Sequence, residues 1–109
     1  MTTKKYGKLV RDRAPRFIER DGGVPKTRTL SAEGFKDALL DKLVEEAGEV
    51  RKANGMEELI AELADVEEAL KAIKEAYGID PEQLEKIRKQ RARVRGGFSK
   101  KIFLISVET

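Results

Sequence analysis

The sequence predicts a mainly α-helical fold in which two long helices form an antiparallel hairpin and a third helix follows. Apolar residues recur at helical spacing over two stretches, which the Asn54-Gly55 pair separates. Capping residues stand at the start of the first long helix and of the third. A chain of 109 residues suffices for one modest core, so we expect a single domain over residues 1–109.

The residues before the long helices are expected to form short elements. An extended opening over residues 6–10 precedes a short helix from about Pro15 to Arg20, which Gly22 and Gly23 end. Residues 24–30 contain Pro25 and alternate threonine with arginine. This pattern favours a loop and a short β segment.

Ser31 is the expected N-cap of the first long helix, which continues to Asn54-Gly55. Its apolar residues follow the helical period: Phe35, Leu39, Leu40, Leu43, Val44, Ala47 and Val50. The second helix runs from about Glu57 to Tyr77, where Gly78 closes it, with the apolar set Leu59, Ile60, Leu63, Val66, Leu70, Ile73 and Tyr77. Because the connection is short, the two helices should fold back on each other.

A third helix is predicted from Pro81 to about Arg95, since Asp80 is a suitable N-cap and proline is favoured at the first helical position. Residues 101–107 are rich in Ile, Phe, Leu and Val, which favours a strand that pairs near residues 27–30. Amphipathic helices of this length leave a second apolar edge. We therefore expect a homodimer or homotetramer, in which dimerisation completes a four-helix bundle.

Composition excludes several kinds of chemistry. The chain has no cysteine and no histidine, which removes thiolate catalysis, histidine ligands and histidine proton shuttles. Any bound metal must therefore be oxygen-ligated, as Mg²⁺, Mn²⁺ and Ca²⁺ are. Because no apolar stretch approaches the roughly 18 residues of a membrane span and no signal-like segment is visible, we expect a soluble cytoplasmic protein without a membrane partner.

Charge is segregated along the chain. Residues 1–30 carry nine basic and three acidic side chains, residues 31–85 carry six and sixteen, and residues 86–109 carry eight and one. Basic termini folded over an acidic centre would suit a ligand that combines a divalent cation with a polyphosphate. The alternative is that opposite charges only keep a small protein soluble and pair loosely on its surface.

Four carboxylates are predicted to meet across the hairpin. Glu46 and Glu49 lie on the first helix, Glu62 and Asp65 lie on the second, and both pairs have i, i+3 spacing. In an antiparallel hairpin, Glu49 would face Glu62 while Glu46 faces Asp65. Such a group repels itself unless a cation neutralises it, which indicates a divalent metal site. The alternative is that these are ordinary solvated residues of acidic helices.

The position of the acids on each helix depends on where the apolar face is centred. With Leu43 as the centre of the first helix, Glu46 lies about 60° away and Glu49 about 120° away. With Leu63 as the centre of the second helix, Glu62 lies about 100° away and Asp65 about 160° away. The acids are therefore expected to border the core.

Three segments of the chain resemble a known enzyme superfamily. Glu45-Glu46-Ala47-Gly48-Glu49 and, twelve residues later, Glu62-Leu63-Ala64-Asp65 resemble the E-E-x-x-E and E-x-x-D signature of MazG-like and phosphoribosyl-ATP pyrophosphohydrolase-like enzymes. The opening residues 6–13 and the ending residues 95–101 resemble a short single-domain branch of that superfamily. The gap between the two acidic motifs is shorter than in many MazG proteins, so the resemblance does not define how the base is recognised.

The resemblance implies an all-α nucleoside triphosphate pyrophosphatase that hydrolyses its substrate between the α and β phosphates. It also implies Mg²⁺ as the cofactor, with Mn²⁺ as a substitute, held by Glu46, Glu49, Glu62 and Asp65. We expect the catalytic residues to be Glu45, Glu46 and Glu49, with Glu45 as the proton acceptor. Arginine and lysine suit phosphate oxygens, and the candidate substrate ligands are Arg11, Arg13, Arg91, Arg95 and Lys100.

Two non-enzymatic alternatives remain open from the sequence. Residues 86–95 contain six basic side chains and no acidic one, so the third helix could lie along a nucleic-acid backbone. No aromatic residue is interleaved there, and the middle of the chain is acidic, which makes nucleic acid the weaker expectation. The second alternative is a helical interaction module without catalysis.

Overall fold

The structure is a computed structural model that describes residues 2–109, and in that range it contains four α-helices. They are α1 (Ala14–Arg20), α2 (Ala32–Lys52), α3 (Met56–Tyr77) and α4 (Pro81–Arg95). The prediction of a mainly α fold is confirmed. The chain divides into two compact units, Met1–Gly78 and Ile79–Thr109.

The helix ends follow from local hydrogen bonding. The Ser31 hydroxyl accepts a hydrogen bond from the Gly34 backbone N–H at 3.1 Å, which satisfies one of the free donors at the start of α2. Asp80 caps α4 in the same way by accepting from the Glu82 N–H at 3.0 Å. Gly78 ends α3 in the left-handed conformation with φ 65°, which a glycine adopts without steric cost.

The first unit is organised by the antiparallel packing of α2 against α3. Leu39 on α2 is 3 % exposed and Ala69 on α3 is 7 % exposed, and these two residues are the buried core among residues 2–109. At the open end of the hairpin, the Lys36 ammonium lies 5.4 Å from the centre of the Tyr77 ring. The predicted hairpin is therefore present, but its core is small.

The short β segments expected near the termini are not formed within residues 2–109, where no strand is present. A strand requires a ladder of hydrogen bonds to a neighbour, and neither residues 27–30 nor residues 101–107 have one in the structure. High β-propensity in residues 101–107 therefore does not by itself produce a strand.

The second unit consists of α4 and the segment that follows it. No residue of α4 is buried. The apolar side chains of the following segment are exposed as well, among them Phe98, Ile102, Phe103, Leu104 and Ile105. This unit therefore has no core of its own.

Candidate metal centre

Two acidic residues of the candidate site lie on the same helix faces as the two buried residues of the hairpin. Glu46 follows Leu39 by seven residues and Glu62 precedes Ala69 by seven residues, so each acid lies within about 20° of a buried residue on its own helix. Seven residues correspond to about 10 Å along the helix axis. The face that packs near Leu39 and Ala69 therefore becomes acidic about 10 Å nearer the turn.

The choice of Leu63 as the centre of the α3 face was wrong. Leu63 is 46 % exposed, whereas Ala69 is buried. Relative to Ala69, Glu62 lies about 20° away and Asp65 about 40° away. Both acids therefore point toward α2 more directly than the hydrophobic pattern centred on Leu63 predicted.

Three carboxylates come together between α2 and α3. One carboxylate oxygen each from Glu46, Glu62 and Asp65 lies within 4.8 Å of the others. An oxygen-ligated ion with metal–oxygen distances of about 2.0–2.6 Å holds its ligand oxygens roughly 3–5 Å apart. The donor set, which is oxygen alone, and its spacing therefore fit one hard divalent cation such as Mg²⁺, Mn²⁺ or Ca²⁺.

Glu49 lies outside this group of three. On α2 it is about 80° from Leu39, compared with about 20° for Glu46, and it is exposed, whereas Glu46 is mostly covered. Its negative charge still contributes to the raised pKa of Glu62. Glu49 is therefore close enough to make the electrostatic potential at Glu62 more negative, although it is not one of the three clustered carboxylates.

Positive side chains are paired with two of the three carboxylates. The Arg11 guanidinium donates a hydrogen bond to Asp65 Oδ1 at 2.8 Å. The Lys42 Nζ lies 3.4 Å from Glu46 Oε1. No ion pair with Glu62 is present among residues 2–109. The basic N-terminal segment thus reaches the acidic cluster through Arg11.

The pKa of Glu62 is raised above its usual value in this arrangement. Removal of water from the carboxyl raises the pKa first, and the negative charges of Asp65, Glu49, Glu46 and Glu58 raise it further. A bound cation would act in the opposite direction, because it favours the ionised carboxylates. The cluster therefore has a physical reason to take up positive charge.

Glu45 is held by two lysines beside the cluster. Lys8 donates to Glu45 Oε1 at 2.7 Å, and Lys42 donates to Glu45 Oε2 at 3.3 Å. The Lys8 hydrogen bond is the main reason that the pKa of Glu45 lies below its usual value, and the same contact raises the pKa of Lys8. A carboxylate with a lowered pKa is a weaker base, which disfavours Glu45 as the proton acceptor.

The candidate phosphate ligands fall into both units. Arg11 contacts the cluster, and Arg13 is the N-cap residue of α1 without a side-chain capping bond. Arg91 and Arg95 lie on α4 and Lys100 lies in the segment after it, and all three side chains belong to exposed residues. Arg11 is thus the candidate that lies at the carboxylates within the first unit.

Lys8 and Lys42 were not among the site residues predicted from the sequence. The signal for Lys42 was available, since it precedes Glu45 and Glu46 by three and four residues, which places it on the same side of a helix. Lys8 stands in the opening segment that contributed to the family resemblance. Its contact with Glu45 spans 37 residues, and no local pattern predicts such a contact.

Two further findings are not confined to the candidate site. No helix within residues 2–109 combines the length and apolar character needed to cross a membrane. In comparisons with protein-family models, curated proteins and solved structures, none matches this chain.

Proposed function

We propose that the protein is a Mg²⁺-dependent nucleoside triphosphate pyrophosphohydrolase that releases a nucleoside monophosphate and pyrophosphate. The observation that carries the proposal is the meeting of Glu46, Glu62 and Asp65 within 4.8 Å across the hairpin. The resemblance of residues 45–49 and 62–65 to the acidic signature of such enzymes supports the same assignment. Mn²⁺ is the expected substitute for Mg²⁺.

The three carboxylates would hold the cation, and Glu49 would reach it directly or through a water molecule. When bound, Mg²⁺ offsets the negative charge that develops on the phosphates and activates water. Arg11, which contacts Asp65, and Arg13, two residues further along the chain, would bind phosphate oxygens, for which arginine has suitable geometry. Arg91, Arg95 and Lys100 remain proposed phosphate ligands on the same chemical grounds.

The proposed reaction is a hydrolysis without a covalent enzyme intermediate. The oxygen of water forms a bond to the α phosphorus, the bond from that phosphorus to the α,β-bridging oxygen breaks, and pyrophosphate leaves. The proton of the attacking water passes to a carboxylate or to solvent. Glu45 was the expected acceptor, but its hydrogen bonds to Lys8 and Lys42 suit it better to positioning those two cations. Unchanged turnover in Glu45→Gln would exclude it as the acceptor.

We also propose that the chain functions as a homodimer or homotetramer. With Leu39 and Ala69 as the buried core of residues 2–109, one copy buries little apolar surface. A second stripe along α3 is exposed at helical spacing and consists of Met56, Ile60, Leu63 and Leu70. A second copy covering this stripe would complete the expected four-helix bundle, and dimerisation could also provide the partner that residues 101–107 need to form a strand.

Pyrophosphate release from a panel of nucleoside triphosphates with Mg²⁺ tests the proposed activity. Glu62→Gln should lower turnover on the order of 100-fold or more, because it removes a ligand charge from the cluster. Glu68→Gln is the matched control, since Glu68 lies on the same helix about 120° away from Glu62 and should leave turnover unchanged. Absence of turnover with every nucleotide, together with salt-sensitive oligonucleotide binding, would refute the enzyme and favour a basic nucleic-acid-binding helix.

A further inference from the structure

The N-terminal segment before α1, residues 2–13, is held against the hairpin by two ion pairs. Lys8 contacts Glu45 at 2.7 Å and Arg11 contacts Asp65 at 2.8 Å. Gly7 has φ 56°, a left-handed conformation, so the chain changes direction immediately before Lys8. The segment contains five basic residues and one acidic residue. We call residues 2–13 the cationic strap.

The strap supplies a positive charge to the three-carboxylate cluster. Arg11 neutralises Asp65, and Lys42 lies against Glu46. Lys42 also contacts Glu45, at 3.3 Å, so its charge is shared between two glutamates. The Arg11 guanidinium already contacts Asp65 Oδ1, so a divalent cation that took this oxygen as a ligand would meet a positive charge at a separation of a few ångströms, which is unfavourable.

Of the two cations, Arg11 is the one that is free to leave. Lys42 is fixed on α2 one helical turn from Glu46, and its side chain is only 17 % exposed. Arg11 belongs to an irregular segment, its side chain is 58 % exposed, and exposed ion pairs contribute little stability. The contact between Arg11 and Asp65 is therefore the weaker restraint.

We propose that the cationic strap is an autoinhibitory counter-ion, and that a divalent cation competes with Arg11 for Asp65 and releases the strap from the cluster. The displaced guanidinium is then available to the phosphates of a nucleotide that arrives with the metal. This inference rests on the proposed metal site. It adds that the chain sets its own metal affinity through Arg11.

Calorimetric titration with Mn²⁺ alone, at low ionic strength, tests the competition. Arg11→Gln should bind Mn²⁺ roughly fivefold or more tightly than the wild type, because a competing positive charge is removed. Arg11→Lys, which keeps the charge, should stay near the wild type. Arg16→Gln is the matched control on α1 and should leave the affinity unchanged. Equal or weaker Mn²⁺ binding by Arg11→Gln would overturn the inference.

Tyrosine fluorescence tests the release of the strap. The chain has no tryptophan and two tyrosines, Tyr6 and Tyr77, so in Tyr77→Phe the emission comes from Tyr6 within the strap. In a background that also carries Lys8→Gln, which removes the second ion pair of the strap, saturating Mg²⁺ should lower the anisotropy of Tyr6, and adding Arg11→Gln should lower it before metal is added. Unchanged anisotropy at saturating Mg²⁺ would overturn strap release.

The two proposals fail in different ways. If the wild type binds Mn²⁺ but Arg11→Gln has the same affinity, the strap inference fails and the metal site stands. If neither the wild type nor Arg11→Gln binds Mn²⁺, while circular dichroism shows that both retain their helices, the metal site fails and the strap inference fails with it.

Discussion

Mg²⁺ is expected to raise the melting temperature of the wild-type chain, and Glu62→Gln is expected to abolish that rise. Glu62 is the informative position because no ion pair with it forms within residues 2–109, whereas Asp65 and Glu46 are paired with Arg11 and Lys42. Its replacement removes a ligand without leaving one of those cations unpaired. Differential scanning fluorimetry over a Mg²⁺ series measures the effect.

The size of the rise follows from linkage between binding and folding. A cation that binds only the folded hairpin adds about 1.4 kcal/mol of stability at ten times its dissociation constant. In a unit of the length of Met1–Gly78 this corresponds to a rise of about 6–11 °C. Glu68→Gln should show the same rise as the wild type. A rise of that size in Glu62→Gln would refute the assignment of Glu62 as a ligand.

The same variant should be more stable than the wild type at neutral pH when a chelator removes metal. The pKa of Glu62 is raised in the folded state, so the folded state favours the protonated carboxyl. This group therefore costs nothing below its ordinary pKa, and the folded state loses stability as the pH rises through the ordinary pKa to the raised one. The advantage of Glu62→Gln should vanish near pH 4. A wild type that is equally stable or more stable at pH 7 without metal would contradict the argument.

Three other changes test the fold and the strap. Lys8→Gln should return the pKa of Glu45 toward its usual value, as measured by NMR titration. It should lower the folding stability by no more than about 0.5 kcal/mol, because the ion pair is partly exposed. An unchanged pKa of Glu45 would contradict the contact. Leu39→Ala should lower the free energy of unfolding in urea by about 2–5 kcal/mol, whereas Leu40→Ala, at a half-exposed neighbouring position, should lower it clearly less. Equal losses of stability in the two variants would contradict the assigned core. Ser31→Ala should cost about 1 kcal/mol by removing the N-cap of α2, and an unchanged unfolding midpoint would argue against that cap.

Helix boundaries were predictable because the residues that set them act locally. Ser31 and Asp80 cap the helices that follow them by bonding to N–H groups two or three residues away. Gly78 ends α3 because the left-handed conformation there suits glycine. In each case the signal and its effect lie within one helical turn, so a single sequence suffices to locate them.

Residue positions within the site were harder to predict, since they depend on which apolar side chains are buried. Leu63 is the larger and more hydrophobic candidate, yet Ala69 is the buried residue of α3. A small side chain permits close approach of two helices, and hydropathy alone does not reveal that preference. When the buried face of α3 is centred on Leu63, Glu62 and Asp65 are therefore expected farther from α2 than the structure places them. The contacts of Lys8 and Arg11 were beyond prediction for another reason, because they join parts of the chain 37 and 54 residues apart.

The packing of the hairpin and the proposed metal site are consequences of the same register. Because seven residues return a helix to nearly the same face, burying Leu39 and Ala69 also turns Glu46 and Glu62 toward the opposite helix. The hairpin cannot bury its core in this register without bringing negative charges together nearer the turn. Arg11 and Lys42 reduce that repulsion from within the chain, and a divalent cation would reduce it further. Cation binding should therefore stabilise the half of the hairpin nearest the turn. Hydrogen exchange along α2 and α3 with and without Mg²⁺ would reveal this as added protection of the amides near the turn. Uniform or absent protection would contradict the link between cation binding and the packing of the hairpin.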